Sequence, residues 1–285
     1  MRAPDGYRLG EAFDRDRTGT FHRGIQVKLN RPVTIKLLRE ELKGDERARA
    51  IFLEERVVTA SLEHANILLT LGVGEVGGLP YFVTESIAEP TLEDALSGEE
   101  LPSETAAVAI AIGIAKALEY LARRDLICKN VSPRNILLPR PLVPKLLTFR
   151  NVRSTAEAPR FRGAQVQSGA YCAPELVRSD LGPVTIKANV YALGGILYHL
   201  LAGVPPVEGG SGEAREAHAA GRVRPLKEVR PFLRDRAHSV VASLMSHDPA
   251  QRPDAGGAVA LLEAYANDPL VTRPLKTRRK RRRQR

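Results

Sequence analysis

The polar run Cys128-Lys129-Asn130-Val131-Ser132-Pro133-Arg134-Asn135 leads into apolar Ile136-Leu137-Leu138. Asn130 and Asn135 stand five positions apart, with Pro133 between them. These residues can knit a loop together by hydrogen bonds. They are poor agents of acid–base work, because an amide carries no carboxylate charge and is no useful base. The Ser132 hydroxyl offers a hydrogen bond without positive charge. The two cysteines, Cys128 and Cys172, form neither a metal-ligating spacing nor a disulfide framework. Cys128 reads as a core residue.

The elements that must position these residues can be read from periodicity. Val27, Val33, Ile35 and Leu37 alternate around the turn-like Leu29-Asn30-Arg31-Pro32. A helix is expected over about Asp45 to Glu63, with Phe52, Val57, Val58 and Leu62 on its apolar period. Short strands follow near Leu68–Val73 and Tyr81–Glu85, separated by the turn Gly77-Gly78. Ser103 is placed to cap a strong helix reaching Arg123, with Ile110, Ile114, Leu118 and Leu121 on one face. Further helices are expected at Ala188–Leu201, Leu233–Met245 and Ala255–Ala266. Strands therefore dominate the first 85 residues and helices the remainder, which suggests a small β-rich lobe and a larger helical one.

In this order the segments resemble a protein kinase, most closely the bacterial Ser/Thr kinases, from about Tyr7 to Ala266. Asn130 to Asn135 keeps the frame of the catalytic loop. Val33-Thr34-Ile35-Lys36 resembles the strand that carries the ATP-binding Lys, and Glu55 the helix Glu that pairs with it. Tyr81-Phe82-Val83-Thr84-Glu85 resembles the last strand and hinge. Phe149 stands where the Asp-Phe-Gly motif has its Phe. Ala173-Pro174-Glu175 resembles the close of the activation segment, and Asn189 to Gly194 the start of the central buried helix. Arg252 matches the late Arg that pairs with Glu175. The resemblance implies an α+β, bilobal protein-kinase-like fold over residues 7–268, with an N-lobe of about 7–86 and a C-lobe of about 87–268. Its vestigial ATP-site residues would be Lys36, Glu55, Glu85 and Asn135.

The departures from the family pattern carry the functional reading. Asn130 replaces the catalytic Asp, Ser132 the phosphate-binding Lys, and Thr148 the Asp that would ligate Mg²⁺ as a hard anion. Arg150 stands at the Gly of that motif. Aligned from Tyr7, the glycine-rich loop has Asp14, Asp16 and Gly19 at its three glycine positions. Asp14 and Asp16 add bulk and negative charge beside an anionic ligand, and like charges there cost energy unless a cation intervenes. Thr34, where Ala is usual, adds bulk and a polar group against the adenine site. Lys129 replaces an Arg that would read an activation-loop phosphate and lacks its bidentate fork. No catalytic residue, metal ligand or cofactor is therefore expected, with ATP bound without Mg²⁺ as the remaining option. Lys36 and Glu55 could bind nucleotide or form a structural salt bridge.

Charge sets the tail apart. Net charge is +10, yet Arg273–Arg285 holds nine basic residues and no acid, so the rest of the 285-residue chain is near neutral. Arg278 to Arg283 is an unbroken basic run. A disordered tail is expected, either merely solvated or an electrostatic anchor for anionic lipid, nucleic acid or an acidic protein. It lacks aromatics for base stacking. The N-terminus has no signal-peptide layout, and the longest apolar run, Ala106 to Ala115, is too short to cross a bilayer. A cytoplasmic setting is expected.

The expectation is a pseudokinase that acts as a protein-binding or regulatory scaffold toward partners of unknown identity. The alternatives are a weak or atypical ATP-dependent Ser/Thr protein kinase, and a tail-mediated binder of anionic lipid or nucleic acid.

Overall fold

The computed structural model describes residues 3–98, 100–139, 142–147, 152–160 and 169–268. The positions of Thr148, Phe149 and Arg150 and the whole basic tail, 273–285, lie outside the described residues.

The first 85 residues build one antiparallel sheet from β1 (Tyr7–Arg15), β2 (Gly19–Gln26), β3 (Arg31–Leu38), β4 (Thr70–Val76) and β5 (Leu79–Glu85), in the order β1-β2-β3-β5-β4. Helix α1 (Glu46–Ala60) interrupts the strands, starting where the Asp45 carboxylate accepts the Ala48 N–H at 2.9 Å. Central β3 is shielded on both faces: Val33 to Leu38 are all buried, Thr34 and Lys36 included. Gly77 and Gly78 both take positive φ (60° and 80°), which a two-residue hairpin of primed type requires, so β4 returns directly into β5.

The second part begins with α2 (Leu92–Leu96), closed by a reciprocal Thr91–Asp94 capping box. It continues through α3 (Glu104–Ala122), β6 (Leu126–Cys128), β7 (Ile136–Leu137), β8 (Lys145–Leu146) and β9 (Val152–Ser154). Then come α4 (Lys187–Ala202), α5 (Ser211–Ala219), α6 (Leu226–Val229), α7 (Asp235–Leu244) and α8 (Ala255–Ala266). Ser103 caps α3 by accepting the Ala106 N–H at 3.2 Å, and Ile110, Ile114, Leu118 and Leu121 are buried. Helix α4 is apolar nearly all round and correspondingly sunk in the core, between α3 and α7. The architecture is the bilobal α+β arrangement that the sequence led us to expect.

Several local expectations need correction. Val27 leaves the strand for a short 3₁₀ turn and is exposed, as is Val57 on α1, because the buried face of α1 is set by Ala48, Phe52, Glu55 and Thr59. Helices α2, α5 and α6 were not anticipated. At four to nine residues they are too short to show a period. The apolar run at Ala106 belongs to a 19-residue helix, α3, which by length and composition alone could cross a membrane. Its buried residues pack instead against α4 and α8 in the helical core.

Candidate functional site

Strand β3 lies between β2 and β5, with Lys36 opposite Phe21 on one side and Phe82 on the other. Its side chain crosses to α1, where Nζ donates to Glu55 Oε1 at 2.5 Å. Both side chains are 1% exposed. The sequence pairing of Lys36 with Glu55 is therefore realised. Three rings surround the ammonium, with their centroids 5.1 Å (Phe21), 5.4 Å (Phe52) and 5.5 Å (Phe82) from Nζ. Such faces stabilise a desolvated cation.

A third charge completes the cluster. Asp16 Oδ2 lies 2.7 Å from Lys36 Nζ, and the Asp16 side chain is fully shielded from solvent. Asp16 Oδ1 accepts the N–H groups of Thr18 and Gly19 at 2.7 and 2.6 Å and the Thr18 hydroxyl at 3.1 Å. The Asp16 N–H in turn donates to the Gly19 carbonyl at 2.9 Å, so the β1–β2 connection is a tight turn folded around one carboxylate. Gly19 is required for close approach: a Cβ there would fall 2.4 Å from Lys36 Cε. The sequence reading set Asp14 and Asp16 together as charges beside an anionic ligand. They separate: Asp14 is exposed and holds the Arg15 N–H, while Asp16 turns inward onto Lys36. The cation that the like-charge argument called for is Lys36 itself.

Two residues before Lys36 on β3, the Thr34 hydroxyl accepts the N–H of Ile87, just past β5, at 3.1 Å. The polar group expected against the adenine site thus already holds a backbone donor of the connecting segment. The Glu85 carboxylate pairs with Lys145 at 2.7 Å and also takes the Leu69 N–H at 3.3 Å, tying β5 to β8.

The loop from Lys129 to Asn135 spans β6 to β7. Asn135 Nδ2 donates to the Asn130 carbonyl at 3.1 Å and to Ser132 Oγ at 3.3 Å. Ser132 and Asn130 are buried. The loop is bonded through the Asn130 backbone; Asn130 Nδ2 itself is buried without a hydrogen-bond partner among the described residues. Asn189, from α4, accepts the Cys128 N–H at 3.0 Å and donates to the Cys128 carbonyl at 2.6 Å, clamping the entry to the loop. Burial pushes the Cys128 and Cys172 thiols up to about 12, so neither is a ready thiolate. Burial also lowers the Lys129 ammonium from its ordinary value.

In the helical part, Arg252 grips Glu175 bidentately at 2.6 and 2.9 Å, with both side chains fully enclosed. It also donates to the carbonyls of Ser246, Lys187 and His247, and lies 4.7 Å over the Tyr191 ring. The Tyr191 hydroxyl meets His218 Nδ1 at 2.7 Å.

Residues 14–262 match the protein kinase domain family. The chain belongs to that family. Its curated relatives include a probable serine/threonine-protein kinase of Clostridium perfringens, 30% identical over 249 residues, which are 86% of this chain and 36% of that protein. The probable kinase PknB of Bifidobacterium longum is 27% identical over 86% of this chain and 37% of its own length. PknB of Mycobacterium tuberculosis is 29% identical over 73% and 34% respectively. The chain spans about a third of the length of these relatives.

Lys36 already meets two carboxylates, the turn amides that could face a phosphate already meet Asp16, and the neighbouring loop offers amide and hydroxyl groups at Asn130 and Ser132.

Proposed function

We propose that this chain is a pseudokinase, a kinase fold that acts as a protein-binding or regulatory module and does not transfer phosphate. The observation that carries the reading is the Asp16 carboxylate, held by Lys36 and by the Thr18 and Gly19 amides. Phosphoryl transfer is mostly positioning and electrostatic stabilisation of a polyanion. An internal anion at the lysine opposes that polyanion before any question of a base arises. The neutral Asn130 and Ser132 support the same reading, since neither supplies a base or a positive charge. The Lys36–Glu55 bridge is then structural: it fixes α1 against the sheet, together with three aromatic rings.

The relatives' names favour a second reading, a weak or atypical Ser/Thr kinase that uses Lys36, Glu55 and Asn135. Thermal unfolding of the full chain with ATP, with and without Mg²⁺, separates the two. The pseudokinase reading expects no Mg²⁺-dependent rise in Tm at millimolar ATP. A rise that needs Mg²⁺ and disappears on Lys36→Met would support the enzyme instead.

A further inference from the structure

The Asp16 carboxylate has the partners of a bound anion. One oxygen collects two backbone N–H groups and a hydroxyl from the turn, and the other reaches an ammonium buried among three rings. Successive N–H groups converging on one point form a concavity that attracts anions. A lysine ammonium beside it adds the charge that phosphate binding uses. The host for an oxyanion is therefore built, and its occupant belongs to the chain.

We propose that Asp16 is an internal substitute for a phosphate group, and that the Thr18 and Gly19 amides with Lys36 form a latent phosphate-binding site, open once that carboxylate is removed. The inference rests on reading the cleft as a degraded nucleotide site and specifies what closes it. The geometry has a second consequence. Asp16 joins the β1–β2 turn to β3 and, through Lys36, to Glu55 on α1, so the internal anion links these three elements. A phosphate anion taking its place makes the same three-way link. Two oxygens of one phosphate suffice, one toward the amides and one toward Nζ. The ligand class is thus the terminal phosphate of pyrophosphate or of a nucleoside polyphosphate.

The test is calorimetric titration of inorganic pyrophosphate into the full-length chain at 0.3 M salt, which screens the basic tail. Four proteins are compared: wild type, Asp16→Gly, Lys36→Met and the double variant. We expect Asp16→Gly to gain a single site at least tenfold tighter than any binding to wild type, and to lose it in the double variant. A parallel titration with ATP shows whether the base adds to the affinity; equal affinities for ATP and pyrophosphate still support the site. Equal binding by wild type and Asp16→Gly, or a gain that survives Lys36→Met, overturns the proposal. Should Asp16→Gly be poorly folded, Asp16→Ala is read by melting, and pyrophosphate must raise its Tm while leaving that of wild type unchanged. If pyrophosphate stabilises neither variant, Asp16 is no substitute for phosphate. Phosphate transfer by wild type would refute the pseudokinase reading and leave this titration unaffected, and a failed titration would leave that reading standing.

Discussion

Asp16 and Lys36 meet carboxylate to ammonium at 2.7 Å inside the sheet, where neither side chain reaches solvent. Glu55 shares the same ammonium. One buried cation therefore serves two buried carboxylates, and the three positions should not respond alike. Lys36→Met takes the shared ammonium from two buried carboxylates and should cost about 3–5 kcal/mol. Asp16→Asn keeps an acceptor for the turn amides and leaves the Glu55 pair, so its cost should be nearer 1–2 kcal/mol. Urea denaturation of the singles and the double completes a cycle, and the double should be less destabilised than the sum. Additive costs would mean that the charges are not coupled.

Gly19 should be intolerant of the smallest side chain. The added methyl of Gly19→Ala falls on the Lys36 stem. Overpacking of this kind costs about 1–3 kcal/mol. The midpoint in urea should fall at constant m-value, whereas Gly44→Ala, with open space around its Cβ, should change little.

The bilobal fold was legible because long elements carry strong periods: α3, α4 and α8 fall within a residue or two of their expected limits. The site was legible only in part. Lys36, Glu55, Glu175 and Arg252 were found through spacing and resemblance, and they pair as expected. Asp16 was found but misread, because sequence order cannot say which of two neighbouring acids turns inward. A signal was present in Asp16-Arg17-Thr18-Gly19, since an Asp two residues before a Thr and three before a Gly favours a side chain that bonds the following amides. The Thr34–Ile87 bond joins residues 53 apart and depends on the strand pairing, which periodicity does not give.

Arg252 should be irreplaceable in the helical lobe. Its planar fork spans both Glu175 oxygens and three carbonyls, which a lysine cannot reproduce. Arg252→Ala should cost about 3–5 kcal/mol and Arg252→Lys more than half of that. A lysine variant with wild-type Tm would show that the fork is dispensable.

His218 should give the protein an acid-sensitive window. Burial lowers its imidazole from 6.5 to about 4, while Tyr191 and the Ala170 carbonyl occupy its two nitrogens. Below 6.5 the unfolded chain binds the proton that the folded chain refuses, so stability is complete above pH 6.5 and declines as pH falls toward 4. The loss from His218 is roughly 3 kcal/mol. His199, held at 2.6 Å to Tyr171 and likewise lowered to about 4, acts in the same direction. Chemical denaturation from pH 7 to 4 should show this slope, and His218→Gln should flatten it. An unchanged slope would assign the effect elsewhere.

Restoring the charges of the catalytic loop should not restore activity. Asn130→Asp, Ser132→Lys and Thr148→Asp together leave Asp16 on Lys36. The triple variant should transfer no phosphate to a generic Ser/Thr substrate such as casein. Turnover by this variant would show that Asp16 yields to ATP unaided.

The central claim is most directly tested by transfer of radiolabelled γ-phosphate from ATP, with Mg²⁺ or Mn²⁺, by the purified full-length chain to itself and to generic Ser/Thr substrates. Lys36→Ala serves as the control. The pseudokinase account expects incorporation equal in the two proteins and no greater than without protein. Incorporation by wild type that Lys36→Ala abolishes would contradict it.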